Sequence, residues 1–137
     1  MKTILALQGN GKKGKTTTIK LLRKKLIKFG FVSIYPDFKN KADYMDILKR
    51  KGKIVGITTQ GDLYEIIDKK LNIMFSYDCL IMVCACRSKG KTIKAVVKHK
   101  EMERRFIPKT SGKTAKQRLK ANNNDAKYFF KTIKQLI

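Results

Sequence analysis

The sequence predicts a three-layer α/β/α fold built on a parallel sheet of four to five strands. Short, near-continuous apolar runs recur along the chain. Such runs are typical of parallel strands that helices cover on both faces. Segments with the apolar spacing of a helix separate these runs, and strands that alternate with helices form right-handed βαβ units.

The predicted elements follow in chain order. Residues 3–7, TILAL, predict a first strand that we expect in the interior of the sheet, and residues 15–29 predict the helix after it. Gly30 and Gly52 each follow a helical pattern, where glycine commonly ends a helix. The length of 137 residues predicts a single domain over 1–137. The other predicted strands are 31–35, 53–58 and 79–86, and the other predicted helices are 41–51, 62–75 and about 125–137.

A glycine- and lysine-rich stretch, QGNGKKGKTTT, joins the first predicted strand to the first predicted helix. Its spacing fits G-x-x-x-x-G-K-[ST] in the strand–helix context that this motif requires. Glycines let successive N–H groups surround phosphate oxygens, and the helix N-terminus adds the positive end of its dipole. We expect Lys15 to reach the β- and γ-phosphates of a nucleoside triphosphate and Thr16 to ligate Mg²⁺. The predicted nucleotide-binding residues are Gly9, Asn10, Gly11, Lys12, Lys13, Gly14, Lys15, Thr16 and Thr17, together with Arg87 from a later loop.

The stretch GNGKKGKT and its flanks resemble the phosphate loop of the P-loop NTPase superfamily, over about the first 30 residues. The resemblance implies the P-loop NTPase fold and the binding of ATP or GTP with Mg²⁺. The run G-K-T-T-T is similar to that of signal-recognition-particle GTPases, whereas the short alternation of strands and helices looks more like small nucleoside and nucleotide kinases. The guanine-reading motif N/T-K-x-D stands directly after none of the later predicted strands. This placement counts against the GTPases.

Two acidic residues, Asp37 and Asp62, follow the second and third predicted strands. Ligands collect at the carboxyl ends of parallel strands, so these acids are candidates to hold Mg²⁺ or to accept a proton from an acceptor hydroxyl. Simpler alternatives are that Asp37 is a turn residue after Pro36 and that Asp62 caps the next helix. The predicted metal ligands are Thr16 and Asp62.

Residues 85–92 repeat the phosphate-loop spacing, with alanine in place of the first glycine. A second phosphate loop is one interpretation. The favoured one is a basic turn in which Arg87, Lys89 and Lys91 meet the phosphates of a second substrate or of a nucleic-acid backbone. A third G-K-T, at 112–114, has no strand before it, and we assign it no role.

Positive charge dominates the composition: 33 Lys and Arg residues against 10 Asp and Glu residues give a net charge of +23. This excess favours polyanionic partners, either nucleotides or nucleic acid, with a solvated lysine-rich surface as the alternative. The basic segment at about 104–120 contains Arg104, Arg105 and Arg118 around the breaker Pro108. By resemblance to small phosphotransferases it is a candidate lid whose arginines act in catalysis; a disordered basic loop is the alternative.

The cysteines Cys79, Cys84 and Cys86 crowd into one apolar run, which predicts buried thiols in a cytoplasmic protein. No apolar segment has the length to cross a membrane, so no membrane partner is expected.

Two function classes remain open from the sequence. One is a phosphotransferase or NTPase that binds Mg·ATP and acts on a nucleotide-like or other small hydroxyl acceptor. The other is an ATP-switched module with a basic face that binds nucleic acid. The predicted catalytic residues of the first class are Lys15, Asp62, Asp37, Arg104, Arg105 and Arg118.

Overall fold

A computed structural model describes residues 2–10 and 14–137 of the chain. Within these two ranges the chain forms an α/β fold of six strands and four helices. The strands are β1 (Thr3–Gln8), β2 (Val32–Ser33), β3 (Met45–Arg50), β4 (Lys53–Thr58), β5 (Ile81–Cys86) and β6 (Glu103–Pro108). The helices are α1 (Lys15–Phe29), α2 (Tyr64–Ser76), α3 (Lys91–Val97) and α4 (Ala115–Leu136).

All six strands join one mixed sheet in the order β2-β3-β4-β5-β1-β6. The strands β4, β5, β1 and β6 are parallel to their neighbours in this series. The strand β3 is antiparallel to both of its neighbours, β2 and β4. The interior position of β1 is confirmed, and the prediction of a wholly parallel sheet is wrong.

The helix predicted over 41–51 is wrong, because residues 45–50 form β3. Apolar residues at 44, 47 and 48 fit a helical stripe, but Met45 is buried as well, so the segment is covered on both faces. Lys51 and Gly52 adopt φ values of 49° and 79°, and Arg50 pairs with Lys53 across them. Two residues with positive φ make the tight turn that suits a hairpin. Gly52 therefore turns a β-hairpin and does not end a helix.

The second predicted strand is shorter than its apolar run. Only Val32 and Ser33 of residues 31–35 form β2, which pairs antiparallel with β3 at the edge of the sheet. Val32 stays 63% exposed there. Before it, Gly30 ends α1 as predicted: its φ is 114°, and its N–H donates to the carbonyl of Ile27.

The segment 104–120 is not one continuous loop. Its first part belongs to β6, whose pairing with β1 runs in register from Glu103 opposite Thr3 to Pro108 opposite Gln8. Proline is tolerated there because β6 is an edge strand. The helix α4 begins at Ala115 and not near residue 125, since Thr114 and Gln117 form a capping box in which each side chain accepts from the other's backbone N–H.

Two hydrophobic clusters cover opposite faces of the sheet. In β1, Leu5 and Leu7 join the cluster that includes apolar residues of α1 and α4. The alternate residues Ile4 and Ala6 join the cluster that includes apolar residues of α2 and α3. This alternation follows from the two-residue period of a strand. None of the helices within residues 2–10 and 14–137 combines the length and apolar character that crossing a membrane would require.

Candidate phosphate-binding site

The residues after β1 lead into α1 through a glycine that no other residue type would replace without strain. Gly14 has φ of 84°, in the left-handed region, and precedes the first residue of α1. A Cβ on Gly14 would lie 2.4 Å from Oδ1 of Asn122 in α4, far inside contact distance. The predicted ligands Gly11, Lys12 and Lys13 lie outside the described residues.

Lys15, the first residue of α1, holds a largely buried side chain at the ends of two parallel strands. Its Nζ donates to the carbonyl of Gly9 after β1 and, at 3.3 Å, to the carbonyl of Cys86 in β5. Burial lowers the pKa of this ammonium, and the nearby positive charge of Arg87 adds to that effect, while the negative charge of Asp62 opposes it. The cation is therefore partly desolvated, and among the described residues only neutral carbonyls accept from it, which favours exchange for an anionic ligand.

An acid that the sequence analysis missed, Asp43, lies beside Thr16. The hydroxyl of Thr59, just after β4, donates to Oδ1 of Asp43 at 3.0 Å. Thr16 Oγ1 lies 3.5 Å from the same oxygen. Because β3 is antiparallel to β4, residues that precede β3 reach the edge where β4 ends. Asp43 falls inside the segment predicted as a helix. The Lys51–Gly52 turn is the sequence signal for a hairpin there, and a hairpin would have placed Asp43 at this edge of the sheet.

The predicted acid Asp62 lies in the loop after β4, next to the predicted phosphate ligand Arg87. Oδ1 of Asp62 is 3.3 Å from Nε of Arg87, and their side chains are 65% and 49% exposed. An exposed pair of this kind contributes little to stability and can open for a ligand. Gly61 sets the spacing of these loops, since a Cβ there would lie 2.7 Å from the Cβ of Ala85 in β5.

These residues border one cavity of about 680 Å³, within the range of small-molecule sites. The structure thus brings together six of the predicted residues: the four from Gly14 to Thr17, together with Asp62 and Arg87. The lining residues are Gly14, Lys15, Thr16, Thr17, Asp43, Thr59, Gln60, Gly61, Asp62, Leu63, Ile66 and Arg87. Within the described parts of the chain, no group of three or more His, Cys, Asp or Glu residues forms a metal site by itself.

Other predicted residues lie elsewhere. Asp37 borders an adjoining cavity of about 300 Å³. Oδ1 of Asn10 accepts from the backbone N–H of Ser88 at 3.3 Å, so the segment that follows β1 contacts the turn after β5. In that turn the Thr92 hydroxyl accepts from the backbone N–H of Arg87 at 2.9 Å. This bond closes the turn, which either interpretation of residues 85–92 allows.

The three arginines of the predicted lid do not border the cavity. Arg104 pairs with Ile4, four residues before the cavity end of β1 at Gln8, which is about 13 Å along a strand. Arg104 donates to the carbonyl of Val97, and Arg105 to Glu103. Arg118, in α4, donates to the carbonyl of Lys113 at 3.0 Å. Arg104 and Arg105 are held in a strand, away from the phosphate edge.

A buried ion pair behind the site was also missed from the sequence. Lys109, just after β6, lies 2.9 Å from Asp125 of α4, and their side chains are 0% and 11% exposed. The same carboxylate accepts from the backbone N–H and the hydroxyl of Thr110, at 2.8 and 2.7 Å. A Cβ on Gly9 would lie 3.1 Å from Cβ of Lys109. The ion pair of Lys109 and Asp125 therefore packs against the first residue after β1. Because lysines are so frequent in this chain, nothing in their spacing distinguishes Lys109 as a buried residue.

The cysteines are buried and unpaired thiols, as the sequence predicts. Burial raises the pKa of Cys79 to about 12 and that of Cys86 to about 11, and it raises the pKa of Cys84 as well. Thiols with raised pKa values are poor nucleophiles and poor metal ligands. The site chemistry therefore rests on the hydroxyl, carboxylate, ammonium and guanidinium groups around the cavity. Comparison of the chain with protein-family models and with curated proteins finds no match.

Proposed function

We propose that the chain is a P-loop protein that binds a nucleoside triphosphate with Mg²⁺ in the 680 Å³ cavity and transfers its γ-phosphoryl group. The observation that carries this proposal is the combination of Lys15 and Thr16 at the N-terminus of α1 with Asp43 and Asp62 around one cavity. The nucleotide is ATP or GTP: residues 40–43, N-K-A-D, have the spacing of the guanine-reading motif N/T-K-x-D, although they precede β3 and follow no strand directly.

Each of these side chains has a distinct task in the proposed reaction. Lys15 exchanges its carbonyl partners for phosphate oxygens, and Arg87 neutralises charge that develops on the phosphoryl group. Thr16 and Asp43, 3.5 Å apart, would hold Mg²⁺ together with phosphate oxygens, a ligand set that this ion commonly takes. The bound ion would neutralise charge on the β- and γ-phosphates.

The transfer itself makes one bond and breaks one bond. The oxygen of an acceptor hydroxyl, or of water, bonds to the γ-phosphorus as the bond from that phosphorus to the β–γ bridging oxygen breaks. The nucleoside diphosphate leaves, and the hydroxyl proton passes to a carboxylate. Asp62 is the candidate for this step, since its exposed pairing with Arg87 leaves it free to turn toward an acceptor.

Calorimetry with Mg·ATP and Mg·GTP tests the binding step. Replacing Lys15 with alanine should weaken binding about tenfold or more, because a charge-assisted hydrogen bond contributes roughly 1.5–3 kcal/mol. Lys113→Ala is a matched control: it lies in another G-K-T tripeptide but does not border the cavity. Equal affinity of the wild type and Lys15→Ala would refute the assignment of the site.

A second candidate function, nucleic-acid binding, is favoured by the uneven charge of the two helical layers. The helices α1 and α4, on one face, each carry six Lys or Arg residues; their one acid, Asp125, is paired with Lys109. The helices α2 and α3, on the other face, carry four basic and two acidic residues. The helices of the first face therefore carry a net charge of +11, and those of the second face +2. Such a face suits a phosphate backbone.

A gel shift at two salt concentrations tests this candidate. Removing Lys24, Lys28 and Lys131, exposed on α1 and α4, should weaken binding similarly for all sequences and lower the salt dependence by about one unit per lost phosphate contact. The control variant removes three exposed lysines outside α1 and α4: Lys69, Lys94 and Lys100. An equal effect of the two variants would argue against a specific face.

A further inference from the structure

A second cavity, of about 300 Å³, opens beside the first one. Asp43 and Gln60 border both cavities, so a molecule in the second cavity would reach the place where the transferred group lies. The segment from Tyr35 to Met45 supplies most of its wall, and α2 contributes Lys70.

Lysines give this second cavity its chemical character. Lys39, Lys41 and Lys70 all border it. Among the described residues, Lys70 makes no salt bridge and no side-chain hydrogen bond, although its side chain is partly buried. Burial lowers the pKa of Lys70, and the positive charges of Lys69 and Lys41 lower it further. This cation therefore lies among like charges, and an anion between Lys41 and Lys70 would relieve the repulsion.

The two acids that border the second cavity, Asp37 and Asp43, do not neutralise the charge of Lys70. Asp37 is exposed, and neither acid makes a salt bridge with Lys70. Asp43 accepts from Thr59 at 3.0 Å and so is engaged at the boundary with the first cavity. An acceptor without charge would leave Lys70 as unpaired as before.

The remaining wall fits the body of a small organic molecule. Tyr35 is partly buried and packs edge-to-face on Tyr77, with ring centroids 5.9 Å apart, which fixes one flat apolar surface. Gln60 Oε1 is a buried acceptor without a hydrogen-bond partner among the described residues. A ligand hydroxyl or N–H group at the boundary between the cavities would satisfy this oxygen.

We infer that the second cavity binds the phosphoryl acceptor, and that this acceptor is a small hydroxyl compound that already carries a phosphate group. The phosphate lies between Lys41 and Lys70, and the hydroxyl end passes Asp43 and Gln60 into the first cavity, which Asp62 borders. The inference rests on the proposed function for the identity of the molecule as an acceptor. The binding of a phosphate ester at Lys70 can be tested without it.

The test is calorimetry with two phosphate esters and their uncharged counterparts: adenosine 5′-monophosphate, ribose 5-phosphate, adenosine and ribose. Each is titrated into protein saturated with a non-hydrolysable Mg·ATP analogue and, separately, into the Lys15→Ala variant. The second arm reports on the second cavity even if the chain binds no triphosphate. The two esters distinguish a nucleotide acceptor from a sugar phosphate.

Lys70→Gln should weaken ester binding about 10- to 100-fold, because a charge-assisted contact is lost, while affinity for the Mg·ATP analogue stays unchanged. Lys69→Gln is the matched control, since it removes the neighbouring charge, which is exposed and does not border the cavity. Lys41→Gln provides a second variant at an exposed position. Equal ester affinity in the wild type, Lys70→Gln and Lys41→Gln would overturn the inference, as would equal affinity for the uncharged counterparts.

Discussion

Replacing Asp125 with leucine should destabilise the fold by about 3–5 kcal/mol, the cost of leaving a buried charge without its partner. The Lys109 side chain is 0% exposed, and of the described residues only Thr110 would still accept from its Nζ, through its carbonyl at 2.7 Å. The backbone N–H of Thr110 would lose its acceptor in the same change. For a chain of this length, each kcal/mol lowers the melting temperature by about 3–5 °C, so the loss corresponds to a fall of roughly 10–25 °C.

The reciprocal change, Lys109→Met, should cost less. Asp125 would keep its two bonds from Thr110 and its 11% exposure to solvent. We expect about 1–3 kcal/mol, the range for a buried group that loses part of its hydrogen bonding. The double variant should then be more stable than Asp125→Leu alone, since it buries no charge.

Urea denaturation of the four proteins in a double-mutant cycle measures these differences. The decisive comparison is the sign of the change when Lys109→Met is added to Asp125→Leu. If this addition lowers the free energy of unfolding further, so that the two costs add, the pair is not an interacting buried unit. A cost below about 1 kcal/mol for Asp125→Leu would refute the reasoning from burial.

Three further predictions follow from the packing and the pKa shifts. Gly61→Ala should lower the free energy of unfolding by about 1–3 kcal/mol in urea, because its Cβ would lie 2.7 Å from that of Ala85; a variant as stable as the wild type would contradict the close approach of these loops. The three thiols, including Cys86 with its pKa raised to about 11, should react with a thiol reagent slowly at pH 8 and quickly in denaturant; fast reaction of the folded protein would show an accessible thiol. The pKa of Lys70 lies below 10.5 in the folded protein, so the folded state holds this proton less tightly than the unfolded chain. The charge of Lys70 therefore lowers the stability of the folded state at neutral pH, and this cost disappears as the pH rises through the lowered pKa toward 10.5. Lys70→Gln should be no less stable than the wild type at pH 7, and the stability advantage of the variant should shrink at higher pH. A constant difference between the two proteins in urea denaturation across this pH range would contradict the assignment.

Much of the fold was predictable from local patterns. The strands β1, β4 and β5 are buried and nearly uninterrupted in apolar residues, and Gly30 ends α1 at a residue whose φ is 114°. Long-range pairing determined the rest. The segment that forms β3 is apolar on two faces, and only its pairing with β4 decides between helix and strand. The edge strand β6 is half exposed and rich in charge, so its apolar pattern is weak.

The residues of the candidate site that belong to one motif, or that follow a parallel strand, were predictable from the sequence. A residue that long-range strand pairing brings to the site was not. Lys15 and Thr16 follow from one motif, and Asp62 and Arg87 follow from the rule that strand ends share an edge. Asp43 escapes that rule, because it precedes its strand. The lid arginines were assigned by resemblance to small phosphotransferases, whereas the pairing of β6 with β1 fixes Arg104 in a strand.

The two cavities are lined by different kinds of segment, because β3 and β4 form a hairpin at one side of the parallel strands. Loops that connect parallel strands to helices supply most of the larger cavity, and they are anchored at both ends by buried elements. One excursion between β2 and β3, residues 34–44, supplies most of the smaller cavity. Asp43 also borders the larger cavity and lies 3.5 Å from Thr16, so it belongs to both cavities. Of these two cavities, residues 34–42 border only the smaller one, and the strands on either side of the excursion pair with each other. Exchanging residues 34–42 for a segment of different charge, with Asp43 kept, would therefore redesign the smaller cavity while the larger one keeps its lining.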